Sequence, residues 1–150
     1  LYRSGVVMST TTYPHLSTLV AVLETLDVPV TAYASLDAVA NQTAPAIYVV
    51  PEECEILQTI GDNRRIQALR CRQLWTIHVV LRDASDQFAT STLLTSLGEW
   101  QANILNLLCA RVLTSGGPLQ LLDIPKPAVY AGGVVVGAIR LGSQFQFSAE

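Results

Sequence analysis

Charge is the scarcest property of this sequence. Only 14% of its 150 residues are Asp, Glu, Lys or Arg, against roughly 25% in ordinary soluble domains. A monomer with so little charge must cover its surface with uncharged and apolar atoms, whereas a subunit that is buried among copies of itself needs fewer charges. Lysine is nearly absent, since eight of the nine basic residues are arginine and only Lys126 is lysine. Because arginine is favoured and lysine disfavoured at protein interfaces, the composition favours an assembly subunit.

The sequence also lacks the residue sets that metal, disulfide and catalytic chemistry need. Three cysteines, Cys54, Cys71 and Cys109, are widely spaced and fit neither a zinc knuckle nor a disulfide framework, so we expect them to be reduced. The two histidines, His15 and His78, have no partners at ligand spacing, and we expect both to be exposed to solvent or to an interface. No Gly-x-Ser-x-Gly nucleophile elbow occurs. Because no nucleophile, base and orienting group occur together, we predict no enzyme, no cofactor and no metal site.

Long apolar runs and a basic charge balance are missing too. The most apolar run, Val129 to Ile139, holds three glycines and falls short of the ~18 residues that a membrane span needs. The net charge of −3 argues against general affinity for nucleic acid. No aromatic residues lie among the clustered arginines to stack on bases. We therefore expect neither a membrane partner nor a sequence-specific nucleic-acid partner.

What the sequence does contain is one strong strand-and-helix unit. Along the strand predicted for Arg70 to Arg82, apolar side chains alternate with a second set that carries the charges, so one face is predicted to be buried and the other outward. The helix predicted for Asp86 to Val112 has an apolar stripe at steps of three and four residues. The predicted core residues are Trp75, Ile77 and Val79 on the strand, and Leu93, Leu97, Trp100 and Ile104 on the helix.

The other elements surround this unit. Periodicity and prolines predict a first helix between Pro14 and Pro29, and strands at Val30 to Ala34, Ala46 to Val50 (stopped by Pro51), Leu119 to Ile124 and Val134 to Phe147. Two helices on one face of a mostly antiparallel or mixed sheet would hide both apolar stripes. We therefore predict a single α+β domain over residues 13–150. Residues 1–12 are predicted to be a lead-in, either flexible or foreign to the native chain.

The segment from Pro51 to Arg72 is the most polarised in the chain. Its acidic residues are Glu52, Glu53 and Glu55, and its basic residues are Arg64, Arg65, Arg70 and Arg72. A turn at Gly61 to Asn63 separates the two sets, which indicates a hairpin-like excursion that leads into the long strand. The basic end of one copy can meet the acidic end of a neighbour, as a head-to-tail ring contact requires. The alternative is that both ends pair within one subunit or stay solvated.

This order of elements resembles the tail terminator proteins of long-tailed bacteriophages, also called tail-completion or head–tail joining proteins. The matching parts are the amphipathic first helix, the proline-flanked strand Ala46 to Pro51, the strand Leu74 to Arg82 that runs into a long helix, and the paired last strands. The resemblance covers roughly Tyr13 to Ser148. The polarised segment from Pro51 to Arg72 has no counterpart in it.

The resemblance implies a structural virion subunit that is synthesised in the host cytoplasm and located in the neck or tail of the particle. Such a subunit forms a ring, usually a hexamer, that caps the tail tube and joins it to the head or neck connector. Its partners would be copies of itself, the tube protein and the connector protein, and it would have no catalytic residues. Two alternatives stay open: another phage neck or tail component, such as a head-closure or tube subunit, and a small-ligand binding domain.

Overall fold

A mixed sheet with two helices on one face forms the described part of the chain. The computed structural model describes residues 8–9, 13, 15–32, 44–85, 91–115 and 119–148. The elements are β1 (Met8–Ser9), α1 (Leu16–Glu24), β2 (Val30–Ala32), β3 (Ala46–Gly61), β4 (Ile66–Arg82), α2 (Ser91–Ser115), β5 (Leu119–Asp123), β6 (Ala128–Tyr130) and β7 (Val134–Ser148). The predicted α+β class with two main helices is confirmed. No helix within these ranges is long and apolar enough to span a membrane.

The strand order is β1-β7-β4-β3-β2, and β5 and β6 also pair with β7. The three long strands run antiparallel to one another in the order β3-β4-β7, whereas the short strands β1 and β2 pair in parallel with β7 and β3 respectively. Along the outer side of β7, β6 pairs with its beginning, β5 with its middle and β1 with its end. Strand β1 belongs to the predicted lead-in, so at least Met8 and Ser9 take part in the sheet.

The strand β3 is much longer than the sequence predicted. Pro51 was expected to stop a strand at Ala46 to Val50, and this prediction is wrong, because β3 continues to Gly61. The register against β4 shifts just after Pro51, and a bulge is one of the few places in a sheet that tolerate proline. The Gln73 side chain fills this bulge, where its Nε2 donates to the Glu52 carbonyl oxygen at 2.8 Å. The bulge therefore keeps a hydrogen-bonded backbone.

The main core lies between the two helices and one face of the sheet. Of the predicted core residues, Trp75, Ile77, Val79, Leu93, Leu97 and Ile104 are buried in this cluster, and Trp100 is half-buried against it. The Trp75 indole is held by a second interaction, since its Nε1 donates to Ser143 Oγ at 2.9 Å. Its ring also contacts Tyr13, with 6.1 Å between the ring centroids. The start predicted for the long helix, Asp86, lies outside the described residues.

The opposite face of β4 is also buried at its centre, which corrects the prediction of an outward, polar face. Thr76 and His78 are both buried there. A smaller apolar cluster surrounds them, formed by Ala46, Tyr48, Val50, Val80, Val134 and Val136. Strands β3 and β7 place apolar side chains on both of their faces, so the centre of the sheet is covered on each side even where β4 itself is polar.

His15, which was also expected to be exposed, is buried just before α1. Both of its ring nitrogens are buried and have no hydrogen-bond partner in the part of the chain that the structure describes. Burial disfavours the charged imidazolium, and it therefore lowers the pKa of His15 below its ordinary value.

Candidate assembly surfaces

The hairpin of β3 and β4 has an exposed outer half. From Glu52 to Gly61 most residues of β3 are exposed, whereas its first five residues are buried. We call residues 52–73 the arm. Three large apolar side chains of the arm are exposed, Ile56 at 62%, Leu57 at 44% and Ile66 at 53%. Within the described ranges, β2 pairs with β3 only up to Val49, and no other strand pairs with the outer edge of the arm.

The tip of the arm is a turn fixed by Asp62. Its Oδ1 accepts hydrogen bonds from the backbone N–H groups of Arg64, at 2.8 Å, and Arg65, at 3.1 Å. These bonds stabilise the carboxylate and lower the pKa of Asp62. Both arginine side chains are exposed, and neither forms an ion pair with another described residue. The turn therefore presents two free guanidinium groups on a backbone that is held in place.

Arg72, another of the predicted interface residues, is paired within its own chain. Its Nε donates to Glu55 Oε1 at 2.7 Å, and its Nη1 donates to Gln120 Oε1 on β5 at 2.6 Å. The side chain reaches β5 by crossing β7 at Gly142, where a Cβ would stand only 2.9 Å from Arg72 Cδ. For Glu55 and Arg72, the structure therefore matches the alternative in which the charges pair inside one subunit.

The remaining predicted interface charges are spread along the arm. Glu52 and Glu53 are exposed at its base, and Arg70 is half-buried on β4. The Nε atom of Arg70 is buried and has no hydrogen-bond partner in the structure. The exposed groups of the arm that make no ion pair in the described chain are thus separated, with the carboxylates of Glu52 and Glu53 at its base and the guanidinium groups of Arg64 and Arg65 at its tip.

A cleft of about 260 Å³ opens on the second face of the sheet, next to the base of the arm. Its polar lining consists of Glu52, Thr76, His78, Lys126 and Tyr130, and its apolar walls include Pro125, Ala128 and Val136. The connection between β5 and β6 forms one side of this cleft. Sequence reasoning placed Glu52 at an interface but missed the cleft, because the connection and β4 are far apart along the chain.

The polar groups of the cleft are only partly satisfied. Thr76 Oγ1 donates to Glu52 Oε2 at 3.0 Å, which holds the carboxylate against the cleft wall. His78 is only 5% exposed, and both of its ring nitrogens are buried without a hydrogen-bond partner among the described residues. Burial lowers the pKa of His78, although the nearby Glu52 carboxylate opposes this shift. The imidazole is therefore held in its neutral form, with one nitrogen able to accept a hydrogen bond.

A second exposed apolar edge lies on the other side of the sheet, outside β7. Its exposed large side chains are Leu121, Leu122, Ile124, Val129 and Tyr130. A groove of about 400 Å³ runs between this edge and Leu105 of α2. Pro125 and Pro127 interrupt the edge, and proline blocks the addition of a further strand because it lacks an N–H donor. The apolar side chains of this edge can therefore make contacts without extending the sheet.

The described residues do not bring together three or more His, Cys, Asp or Glu side chains that could hold a metal ion. Comparison with models of known protein families finds none that matches this chain, and comparison with curated proteins finds no match either. The features of the described residues that bear on function are the exposed edges, the arm and the cleft.

Proposed function

We propose that this protein is a ring-forming structural subunit of a long-tailed bacteriophage. The ring caps the tail tube and joins it to the neck or head connector, and six is the subunit number that the resemblance implies. The protein is made in the host cytoplasm and ends in the neck or tail of the virion. Its partners are copies of itself, the tube protein and the connector protein, and its role is geometric, without catalysis.

The observation that carries this proposal is the pair of exposed apolar edges on opposite sides of one sheet. The arm presents Ile56 and Ile66 on one side, and the β5–β6 edge presents Leu122 and Val129 on the other. Contacts between two different patches are head-to-tail, and they produce closed rings when the rotation between neighbours closes. The low charge of the chain supports the same conclusion, since much of its lateral surface would be covered by neighbours.

The mechanism follows from this geometry. Lateral contacts close the circle, which leaves the two remaining faces of each subunit for other partners. One face contacts the last ring of the tail tube, and the opposite face contacts the connector. A tube end that is occupied in this way can no longer accept another tube subunit. Stopping tube growth thus requires surface complementarity and no chemical step.

The test is the assembly state of the purified full chain, measured by sedimentation velocity and negative-stain electron microscopy. We expect rings of one size. Ile56→Glu should abolish them, because it places a charge where an apolar side chain worth about 1.5–3 kcal/mol is buried at each contact. Leu94→Glu is the matched control, since Leu94 is an exposed leucine of α2 and lies on neither edge. A monomer at every concentration tested, or rings that Ile56→Glu leaves intact, would contradict the proposal.

A head-closure or tube subunit would use the same lateral contacts but lie elsewhere in the particle. Antibody labelling of intact virions separates these alternatives. Label at the junction of head and tail supports a terminator, and label along the whole tail supports a tube subunit.

A further inference from the structure

We propose that the cleft beside His78 binds an arginine side chain from the arm tip, Arg64 or Arg65, of a second copy of this chain. The inference rests on the proposed ring and deepens it, because it names a specific contact between neighbouring subunits. It also gives Glu52 and His78 a common role that neither has within one chain.

The chemistry of the cleft calls for a hydrogen-bond donor. Buried polar atoms almost always have a partner, so the two ring nitrogens of His78 require an explanation. The Glu52 carboxylate accepts one hydrogen bond, from Thr76, and an ionised carboxylate can accept several. A guanidinium group offers five N–H donors and no acceptor. It can donate to the Glu52 carboxylate in a charge-assisted pair. Contact with a His78 nitrogen also requires the cleft wall to move, because both nitrogens are buried.

The size and walls of the cleft also suit one side chain. Its volume of about 260 Å³ is smaller than the roughly 300–1,000 Å³ typical of pockets for drug-sized ligands. The apolar walls formed by Pro125, Ala128 and Val136 match the methylene stem of an arginine, which buries its carbons while its charged group finds polar partners. The cleft is thus better suited to an arginine from a partner than to a cofactor.

The arginine must come from another copy. Glu52 begins the arm and the turn begins after Gly61, so nine residues of strand separate them, a distance of roughly 30 Å at about 3.3 Å per residue. No side chain at the tip can reach back over that distance to its own cleft. Because Asp62 holds the backbone of both arginines, less conformational freedom is lost when they bind.

Two cations of the same chain lie near the cleft: Arg140, opposite Thr76 in the sheet, is paired with Asp123, which leaves Lys126 as the competitor. It lines the cleft and is exposed, but it forms no ion pair with Glu52 in the structure. Lysine carries a compact, strongly hydrated charge, whereas the planar guanidinium suits a partly buried carboxylate site. The arginine from the neighbour is therefore the better occupant.

The contact is head-to-tail, because the arm tip and the cleft are different surfaces of one subunit. Each subunit that donates a tip to one neighbour keeps its own cleft free for the next. This property allows a sharp test with two variants that fail in different ways. The tip variant carries Arg64→Ala and Arg65→Ala, and the cleft variant carries Glu52→Arg.

In sedimentation velocity, each variant alone should need about a 10- to 100-fold higher concentration to assemble than the wild type. This factor corresponds to the loss of one or two charge-assisted hydrogen bonds at the contact. An equimolar mixture should form a 1:1 dimer that does not grow, since the cleft of the tip variant remains intact and so does the tip of the cleft variant. Glu53→Arg is the matched control, because Glu53 is a neighbouring exposed carboxylate that does not line the cleft. It should assemble like the wild type.

Several results would overturn the inference. If both variants form wild-type rings, the ring closes through other contacts and the proposed function stands without this one. If the mixture stays monomeric while the wild type assembles, the tip and the cleft do not pair. A wild type that never assembles would overturn both proposals. Circular dichroism verifies folding, and Glu52→Gln replaces Glu52→Arg should the latter not fold.

Discussion

Gly137 allows α2 to pack directly against β7, and replacing it with alanine should destabilise the fold. A Cβ at this position would stand 2.6 Å from Leu97 Cδ1 and 2.8 Å from Gln101 Nε2. Leu97 is buried in the main core, so it has little room to move. Gln101 Nε2 donates to the Ala138 carbonyl oxygen at 3.2 Å, and the new methyl group would displace it from that position.

The size of the effect follows from three contributions. Overpacking a tight core costs about 1–3 kcal/mol, and loss of the Gln101 hydrogen bond costs about 0.5–1.5 kcal/mol. Restriction of the unfolded chain by alanine offsets about 0.4–1 kcal/mol of this. We therefore expect Gly137→Ala to lower the free energy of unfolding by about 0.5–4 kcal/mol. In a chain of this length each kcal/mol corresponds to about 2–4 °C in Tm.

Urea unfolding followed by circular dichroism measures this loss. The matched control is Gly98→Ala, since a Cβ at Gly98 of α2 would have no atom within 4 Å. There we expect a gain of about 0.8–1 kcal/mol from helix propensity alone. Combining Gly137→Ala with Leu97→Ala should cost less than the sum of the single changes, because the smaller side chain leaves room for the new methyl group. An unchanged or raised stability of Gly137→Ala would refute the packing argument.

Two further predictions concern the second face of the sheet and the buried histidines. Gly142→Ala should displace the Arg72 side chain that crosses it. The free energy of unfolding should fall by about 1 kcal/mol or less, since partly exposed ion pairs contribute little. In an Arg72→Ala background the same change should have almost no effect in urea unfolding, and additive losses would contradict the contact. Because burial lowers the pKa of His15 and His78, the folded state binds fewer protons than the unfolded state near and below pH 6.5. The free energy of unfolding should therefore fall as the pH drops from 7.5 to 5. Replacing both histidines by leucine should flatten this dependence, and a slope that persists would assign it to other groups.

Much of the fold could be predicted from local pattern. The periodicity of α2 placed Leu97 and Ile104 in the core, and alternation along β4 placed Trp75 and Ile77 there, because these features depend only on residues close together in sequence. Pro51 misled the prediction, since a proline normally ends a strand. The bulge that accommodates it depends on Gln73, more than twenty residues away.

The candidate site was less accessible to sequence reasoning. His78 was expected on an outward face because its own strand is polar there. Its burial depends on Tyr48 and Ala138, which lie beside it in the sheet but come from distant parts of the chain. Similarly, pairing between Arg72 and Glu55 depends on a register that is set by bulges in β3. Contacts of this kind exist only after the strands have been brought together.

The many partners of β7 have a consequence for the time at which this protein can fold. β7 is the last described strand in the chain, yet it pairs with β4 on one side and with β1, β5 and β6 on the other. Until residues 134–148 have been synthesised, β4 lacks one of its two neighbouring strands and α2 lacks part of the sheet face against which it packs. The sheet therefore closes only after residues 134–148 have been synthesised. Pairings between such distant segments slow folding, so the edge of β4 that faces β7 stays unpaired until β7 has docked.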